Sequence, residues 1–439
     1  MRVNWTTYPG RLTIPAMNVL LAFALTASLT SPVHLPPTAP CPENVPAGTT
    51  CYEGRDPNGA YYTIAVPKKW NKTLVVHSHG GPDLGDPTPE RTRDDLNRWA
   101  VMVKEGYAWA GTSYRRGGYG TRMAAEDTDN LRKMVVGMLK PHRTYIHGQS
   151  WGGNVAAKTI ELYKGYDAAL LTSGVMAGGS RGYDYRVDLR VVYQYYCGNH
   201  PRPSEVQYPL WQGLRPGSTM TTAGLRGRIE ECLGVAGSRT AEQQQKLNDI
   251  LAVTKIPEET LNSHLNFATF TFRDIVHNRL GDRNPWSNTG VVYQGSHDDA
   301  ALNEGVERFA ADPAARAELA YDSDLTGKID IPVLSVHAIG DPTAFVEHES
   351  AYRDTVLKAG RWYNLVQTFT TEATHSAFSD SEYAAAMQSL SAWEKFGLRS
   401  NPFLISAACP SHDRTYGTGC FFNPWYKPAS YESRVAPRK

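Results

Sequence analysis

TYIHGQSWGGNVAAK, residues 144–158, changes character at its centre. Its first part is short and apolar, as a buried strand is, whereas Ala156 and Ala157 beyond Gly153 suit a helix packed closely on a sheet. Between them stands Gly148-Gln149-Ser150-Trp151-Gly152, a Gly-x-Ser-x-Gly pattern at a strand-to-helix turn. A serine at such a turn projects Oγ out of the sheet. Glycines must flank it, because any side chain there would collide with the neighbouring strand and helix. The helix N-terminus adds positive dipole beside the oxygen. Ser150 is therefore the candidate nucleophile.

Working outward, short β-rich runs alternate with helical patterns, which predicts an α/β fold: a mainly parallel sheet flanked by helices. The runs are 61–66 (YYTIAV), 73–79 (TLVVHSH), 107–114 (YAWAGTSY), 144–150, 168–175 (AALLTSGV), 332–338 (PVLSVHA) and 363–369 (YNLVQTF). Helical patterns cover 91–105, 124–139 and the residues after Gly153. From 180 to 330 the strand series stops. That segment begins rich in Tyr, Arg and Pro and continues with helical patterns at 241–253, 257–272 and 300–319. It reads as an inserted cap. The expected division is 1–40 for an export signal and N-terminal segment, 41–179 and 331–399 for the two parts of the core, 180–330 for the cap, and 400–439 for a Cys-bearing tail.

Acyl transfer at a serine requires an imidazole base, a carboxylate to orient it, and two N–H donors for the developing oxyanion. The strand at 73–79 runs into His79-Gly80-Gly81-Pro82, where Gly81 or Gly80, together with Trp151, would supply the donors. Asp341 follows the strand 332–338 and is the candidate acid, with Glu347 and Glu372 as weaker ones. His375, in a loop after the last strand, is the candidate base; His337 and His348 are its rivals. His77 and His79 form a His-x-His, but one lies in a buried strand and no third ligand is apparent, so they read as structural. Tyr183, Tyr185, Tyr193, Tyr195 and Tyr196 surround Arg186 and Arg190 at the start of the cap. Tyr183 and Tyr185, with Tyr114 after another strand, are the candidate substrate-binding residues. The alternative is plain packing of a cap helix.

Taken together, the HGGP turn, the GQSWGG elbow, the strand-end Asp341 and the late-loop His375 resemble the α/β-hydrolase superfamily of serine hydrolases. The resemblance covers about 61–179 and 331–396 and implies a Ser150-His375-Asp341 triad, an acyl-enzyme, and no cofactor or metal. HGGP with a tryptophan after the serine is similar to prolyl iminopeptidases, except that Asp83 stands where those carry a further glycine. Ester hydrolysis is the first expectation and peptide or amide hydrolysis near an N-terminus the alternative. The latter needs a cap carboxylate for the substrate ammonium, for which Glu230, Glu231, Glu258 and Glu259 are the candidates. A non-catalytic protein with this fold would lack a triad member or an elbow glycine.

Composition limits the partners. With 45 Lys+Arg against 44 Asp+Glu, a net charge of +1 offers no basic excess for nucleic acid, and 10% aromatic residues argue against disorder. A small ester or a short peptide or amide remains. The apolar run 14–29 follows Arg2 and Arg11 and precedes the first acidic residue, Glu43, as an export signal does. Cleavage is expected between 28 and 41, with no stable membrane association afterwards; the alternative is an uncleaved anchor. Six cysteines suit an exported protein. Local proximity favours Cys41 with Cys51 and Cys409 with Cys420, leaving Cys197 with Cys232, the alternative being free buried thiols.

Overall fold

In the computed structural model, residues 35–417 and 419–438 are described. The apolar run 14–29 lies outside them. The sheet has nine strands: β1 (Thr38–Ala39), β2 (Thr50–Arg55), β3 (Tyr61–Val66), β4 (Thr73–Ser78), β5 (Ala108–Thr112), β6 (Arg143–Gln149), β7 (Ala168–Thr172), β8 (Val333–Ala338) and β9 (Leu365–Thr370). Their spatial order is β1-β2-β3-β5-β4-β6-β7-β8-β9. From β5 through β4 to β9 every pairing is parallel, while β1, β2 and β3 join antiparallel. This is the mainly parallel sheet that the strand pattern predicts.

Parallel strands are covered on both faces, so they read as continuous apolar runs, and β4, β5, β7 and β8 are buried at every residue. One face packs on α1 (Pro89–Arg98), α2 (Ala100–Lys104) and the helix Asp380–Phe396, through Leu96, Trp99, Met102, Met387 and Leu390. The other packs on α3 (Thr121–Leu139) and α4 (Trp151–Leu162), through Leu131, Val135, Ala156 and Ile160.

Between β7 and β8 the chain forms only helices and loops, the expected mostly helical cap. It has its own core, including Leu189, Leu225, Ile250 and Leu261. Its underside, with Tyr183, Val187, Phe272 and Trp286, shares one apolar cluster with Trp151, Val155 and Tyr119. The cap thus sits directly on the strand-to-helix turn.

Several elements differ from expectation. β1 and β2 were not predicted, because β2 (TCYEGR) carries two charges and a glycine and is only partly buried. The single helix expected over 91–105 is two, broken at Trp99, whose indole turns into the core and donates to the Tyr383 hydroxyl at 3.0 Å. The helix expected over 300–319 is also two, Asp299–Gly305 and Pro313–Ser323, the second started by Asp312 accepting from the Ala314 and Ala315 amides. The helix Asp184–Cys197 is the cap helix of the alternative reading of the Tyr cluster, but it is buried on nearly every side, Arg186 and Arg190 included.

The three disulfides are Cys41–Cys51, Cys197–Cys232 and Cys409–Cys420, the expected pairs. The last ties the C-terminal segment beside β9: Phe422 bridges Thr370, the Thr371 amide donates to Phe421 O at 2.9 Å and the Asn423 amide to Phe369 O at 2.7 Å. No helix among the described residues is long and apolar enough to cross a membrane.

Candidate active site

β6 ends at Gln149, Ser150 makes the turn, and α4 begins at Trp151. Ser150 has φ 60° and ψ −127°, a left-handed conformation that costs a non-glycine residue roughly 1–3 kcal/mol and persists only where the surroundings enforce it. Here the enforcement is close packing. A Cβ on Gly152 would lie 2.1 Å from Ser78 O, and one on Gly148 would lie 2.1 Å from Gly152 O. The Ser150 amide is held by Thr172 O at 3.0 Å, and Ser150 O accepts from the Val175 amide at 3.1 Å.

Three distant segments meet at the serine. His375 Nε2 lies 2.8 Å from Ser150 Oγ, and His375 Nδ1 lies 2.7 Å from Asp341 Oδ2 and 3.0 Å from Oδ1. With Nδ1–H donating to the carboxylate, Nε2 is left to accept the serine proton. Asp341 is buried at the end of β8, and its Oδ1 also accepts from the Thr343 and Ala344 amides at 2.8 and 2.9 Å. Burial by itself would raise this carboxyl; His375 and His337 beside it outweigh burial and hold it below the usual carboxylate range. His375 is partly exposed, its side chain retaining 21% of its surface.

His337, a sequence rival for the base, stands behind the acid instead. Its Nε2 donates to Ala344 O at 2.6 Å and lies 3.5 Å from Asp341 Oδ2, while Nδ1 faces Glu349 Oε1 at 3.2 Å. Burial opposes its cation, but the two carboxylates push its pKa up to about 10. Glu349 is in turn held by Ser335 Oγ at 2.8 Å and Gln367 Nε2 at 2.5 Å. His348 is buried and accepts from the Ala177 amide at 3.1 Å. Glu347 faces Arg434 at 3.5 Å and Glu372 accepts from Thr370 Oγ1 at 2.7 Å, so neither has a bond to His375.

The HGGP turn presses on the elbow from the β4 side. A Cβ on Gly80 would meet Gln149 Oε1 at 2.6 Å and Ser150 Cβ at 3.2 Å, and Gly81 has φ 146°, which glycine adopts without strain. Trp151 is the first residue of α4, where an N–H has no acceptor within the helix. Behind the turn, Tyr114 stacks on His79 with ring centroids 4.1 Å apart and gives its hydroxyl to His79 O at 3.2 Å. Tyr114, Trp151 and Asp83 line a small recess of about 60 Å³. His77 and His147 share a bond at 2.9 Å, and burial lowers the pKa of both.

From the cap, Tyr183 and Tyr185 are buried. Tyr183 meets Tyr119 edge-on at 5.9 Å, Tyr119 meets Trp151 at 5.7 Å, and Tyr185 donates to Thr343 O at 3.0 Å. Glu230, Glu231, Glu258 and Glu259 are all exposed, and Glu231 and Glu258 are paired with Arg202 and Arg239. Sequence reasoning missed Gln149 and Ser376 as partners, joined at 2.6 Å, and Arg98, which donates to Ser376 O at 2.6 Å. It also missed Glu349 and His264. Only Gln149 carried a signal, its place inside the elbow pattern.

No family model matches this chain, and no curated protein matches it. Among solved structures it is similar to feruloyl esterase B from Aspergillus oryzae, at 14% identity over 80% of this chain and 81% of that one, with a TM-score of 0.44. A thermostable carboxyl esterase from Bacillus coagulans is similar at 14% identity over 74% and 90%, with a TM-score of 0.36. A puromycin hydrolase is similar at 13% identity over 80% of this chain and 39% of its own, with a TM-score of 0.39. Those activities belong to the neighbours; what this chain does follows from its own residues.

Proposed function

We propose that this chain is an exported serine hydrolase of carboxylic esters, with Ser150 as nucleophile, His375 as base and Asp341 as the acid that orients it. The observation that carries this reading is the continuous hydrogen-bond chain from Ser150 Oγ through His375 to Asp341, at 2.8 and 2.7 Å, on a serine held at φ 60°. As Oγ attacks the ester carbonyl carbon, its proton passes to His375 Nε2 and the carbonyl oxygen becomes an oxyanion facing the Gly81 and Trp151 amides. The imidazolium, stabilised by ionised Asp341, then protonates the departing alcohol and leaves an acyl-enzyme. Water activated by the same imidazole releases the acid. The cap over the elbow supplies the pocket walls, with Tyr183 and Tyr185 on its underside.

The peptidase alternative needs a carboxylate for a substrate ammonium, and the four cap glutamates that could provide it are exposed. Export is supported by the three disulfides, which persist in oxidising compartments, and by the 14–29 run. The test is labelling with a fluorophosphonate followed by peptide mass spectrometry. The adduct is expected on Ser150, and Ser150→Ala should fold, resist labelling and lose ester turnover; an adduct elsewhere would sink the serine mechanism.

A further inference from the structure

Arg186, on the helix Asp184–Cys197, retains only 5% of its surface, yet no carboxylate among the described residues pairs with it. Helix geometry explains why. Asp184 and Asp188 lie two positions away on either side, a rotation of about 200° that puts them across the axis. Both face Arg438, and Asp184 also faces Arg316. The guanidinium instead stands against Phe267, Tyr185 and Tyr183, with Cζ 3.9, 5.0 and 5.2 Å from the ring centroids. Ring faces attract a cation but offer it no oxygen acceptor, so its desolvation is only partly offset.

One hydrogen bond fixes its orientation. Nε donates to His264 Nδ1 at 3.1 Å, and His264 Nε2 donates to Pro342 O at 2.9 Å. Burial first, and Arg186 next, lower the His264 pKa to about 3, so the imidazole is neutral and its tautomer is set by the carbonyl next to Asp341. The acid loop therefore sets His264, and His264 sets the plane of the guanidinium. On the other side, Tyr183 leads through Tyr119 to Trp151 beside the nucleophile. The terminal nitrogens of Arg186 meet no protein acceptor among the described residues. Unlike Nε and Nη1 of Arg190 one turn further on, they are not sealed from solvent.

We propose that Arg186 receives a carboxylate of the substrate, so that the ester cleaved at Ser150 carries a free carboxylate on its acyl or its alcohol part. This rests on the serine-hydrolase reading above. A guanidinium whose Nε is already engaged presents its remaining N–H groups as a fork, the geometry that holds a carboxylate by two parallel bonds. The charge also excludes a substrate ammonium from this position.

The experiment compares kcat/KM for 4-nitrophenyl hydrogen glutarate with neutral 4-nitrophenyl valerate, and for 4-acetoxybenzoate with its methyl ester, which separates an acyl-side from an alcohol-side carboxylate. One of the charged esters should be preferred at least about tenfold. Arg186→Met should collapse that ratio, chiefly through KM, and Arg186→Lys should restore part of it. Free glutarate or benzoate should inhibit wild-type hydrolysis of the neutral ester competitively, a readout that needs no variant to fold. If the neutral esters are cleaved with no preference for either charged one, the carboxylate proposal is overturned while the serine mechanism stands. If no ester is cleaved and Ser150 takes no phosphonate, it is the parent reading that fails.

Discussion

Gln149 and Ser376 are joined side chain to side chain at 2.6 Å across 227 residues of sequence, so the residue just before the elbow serine holds the residue just after the imidazole. Arg98 holds Ser376 from its carbonyl side, and Ser376 itself sits at φ 58°. The loop that presents His375 is thus tied at its neighbour to the turn that presents Ser150. A base on a surface loop gains from such a tie the fixed geometry that proton transfer needs.

Gln149→Ala and Ser376→Ala should each lower kcat/KM for a neutral ester by about tenfold, roughly 1.4 kcal/mol, with little change in thermal midpoint. Because both remove one interaction, the double variant should lose little more than either single one. Fully additive losses in the double-mutant cycle would mean the contact contributes nothing to the base.

Asp341→Asn should lower kcat by ~10⁴ while changing KM by no more than several-fold, since the amide no longer enforces the tautomer that leaves Nε2 free to accept. Steady-state kinetics on Glu347→Gln and Glu372→Gln provide the contrast. If one of those proved as damaging as Asp341→Asn, the acid would have to be reassigned.

The buried His337 makes stability fall on the alkaline side. Its folded pKa of about 10 stands above that of a free imidazole. Its proton therefore favours the folded state in full below pH ~6.5, and the contribution drains away as pH climbs from there through about 10. Asp341, held below its ordinary range, acts in the opposite sense at the acid end, where its contribution is lost as pH drops below the carboxylate range. Thermal midpoints of wild type and His337→Gln between pH 6 and 10.5 should converge as pH rises. A gap that stays constant across that range would show that His337 is not held as a cation.

Non-reducing peptide mapping should recover the pairs Cys41–Cys51, Cys197–Cys232 and Cys409–Cys420. Replacing Cys409 and Cys420 together by Ser should cost about 3 kcal/mol on the chain-entropy estimate for so short a loop. Urea unfolding in the absence of reductant measures it, and an unchanged midpoint would mean that packing alone retains the segment.

Much of this site could be read directly from the sequence, for a physical reason. β4, β6, β7 and β8 are covered on both faces and so stand out as apolar runs, and the candidate residues Gly80, Gly81, Ser150 and Asp341 lie where those runs end. His375 was readable because a loop histidine follows the last strand. What stayed hidden depends on side chains meeting across long separations: Gln149 with Ser376, His337 with Glu349, Arg186 with His264. β2 was hidden differently, by charges on a half-exposed strand next to the border of the sheet.

The disulfide-anchored C-terminal segment bears on how the protein keeps to itself. β9 is the last strand of the sheet, and an outermost strand with free N–H and C=O groups is a template on which a strand from another molecule can add. Phe421, Phe422 and Asn423 occupy part of that template from within the same chain, through the bonds to Thr371 and Phe369 and the bridge to Thr370. The segment works as a built-in guard against edge-to-edge aggregation, and one that a covalent clasp keeps in place outside the reducing interior of a cell.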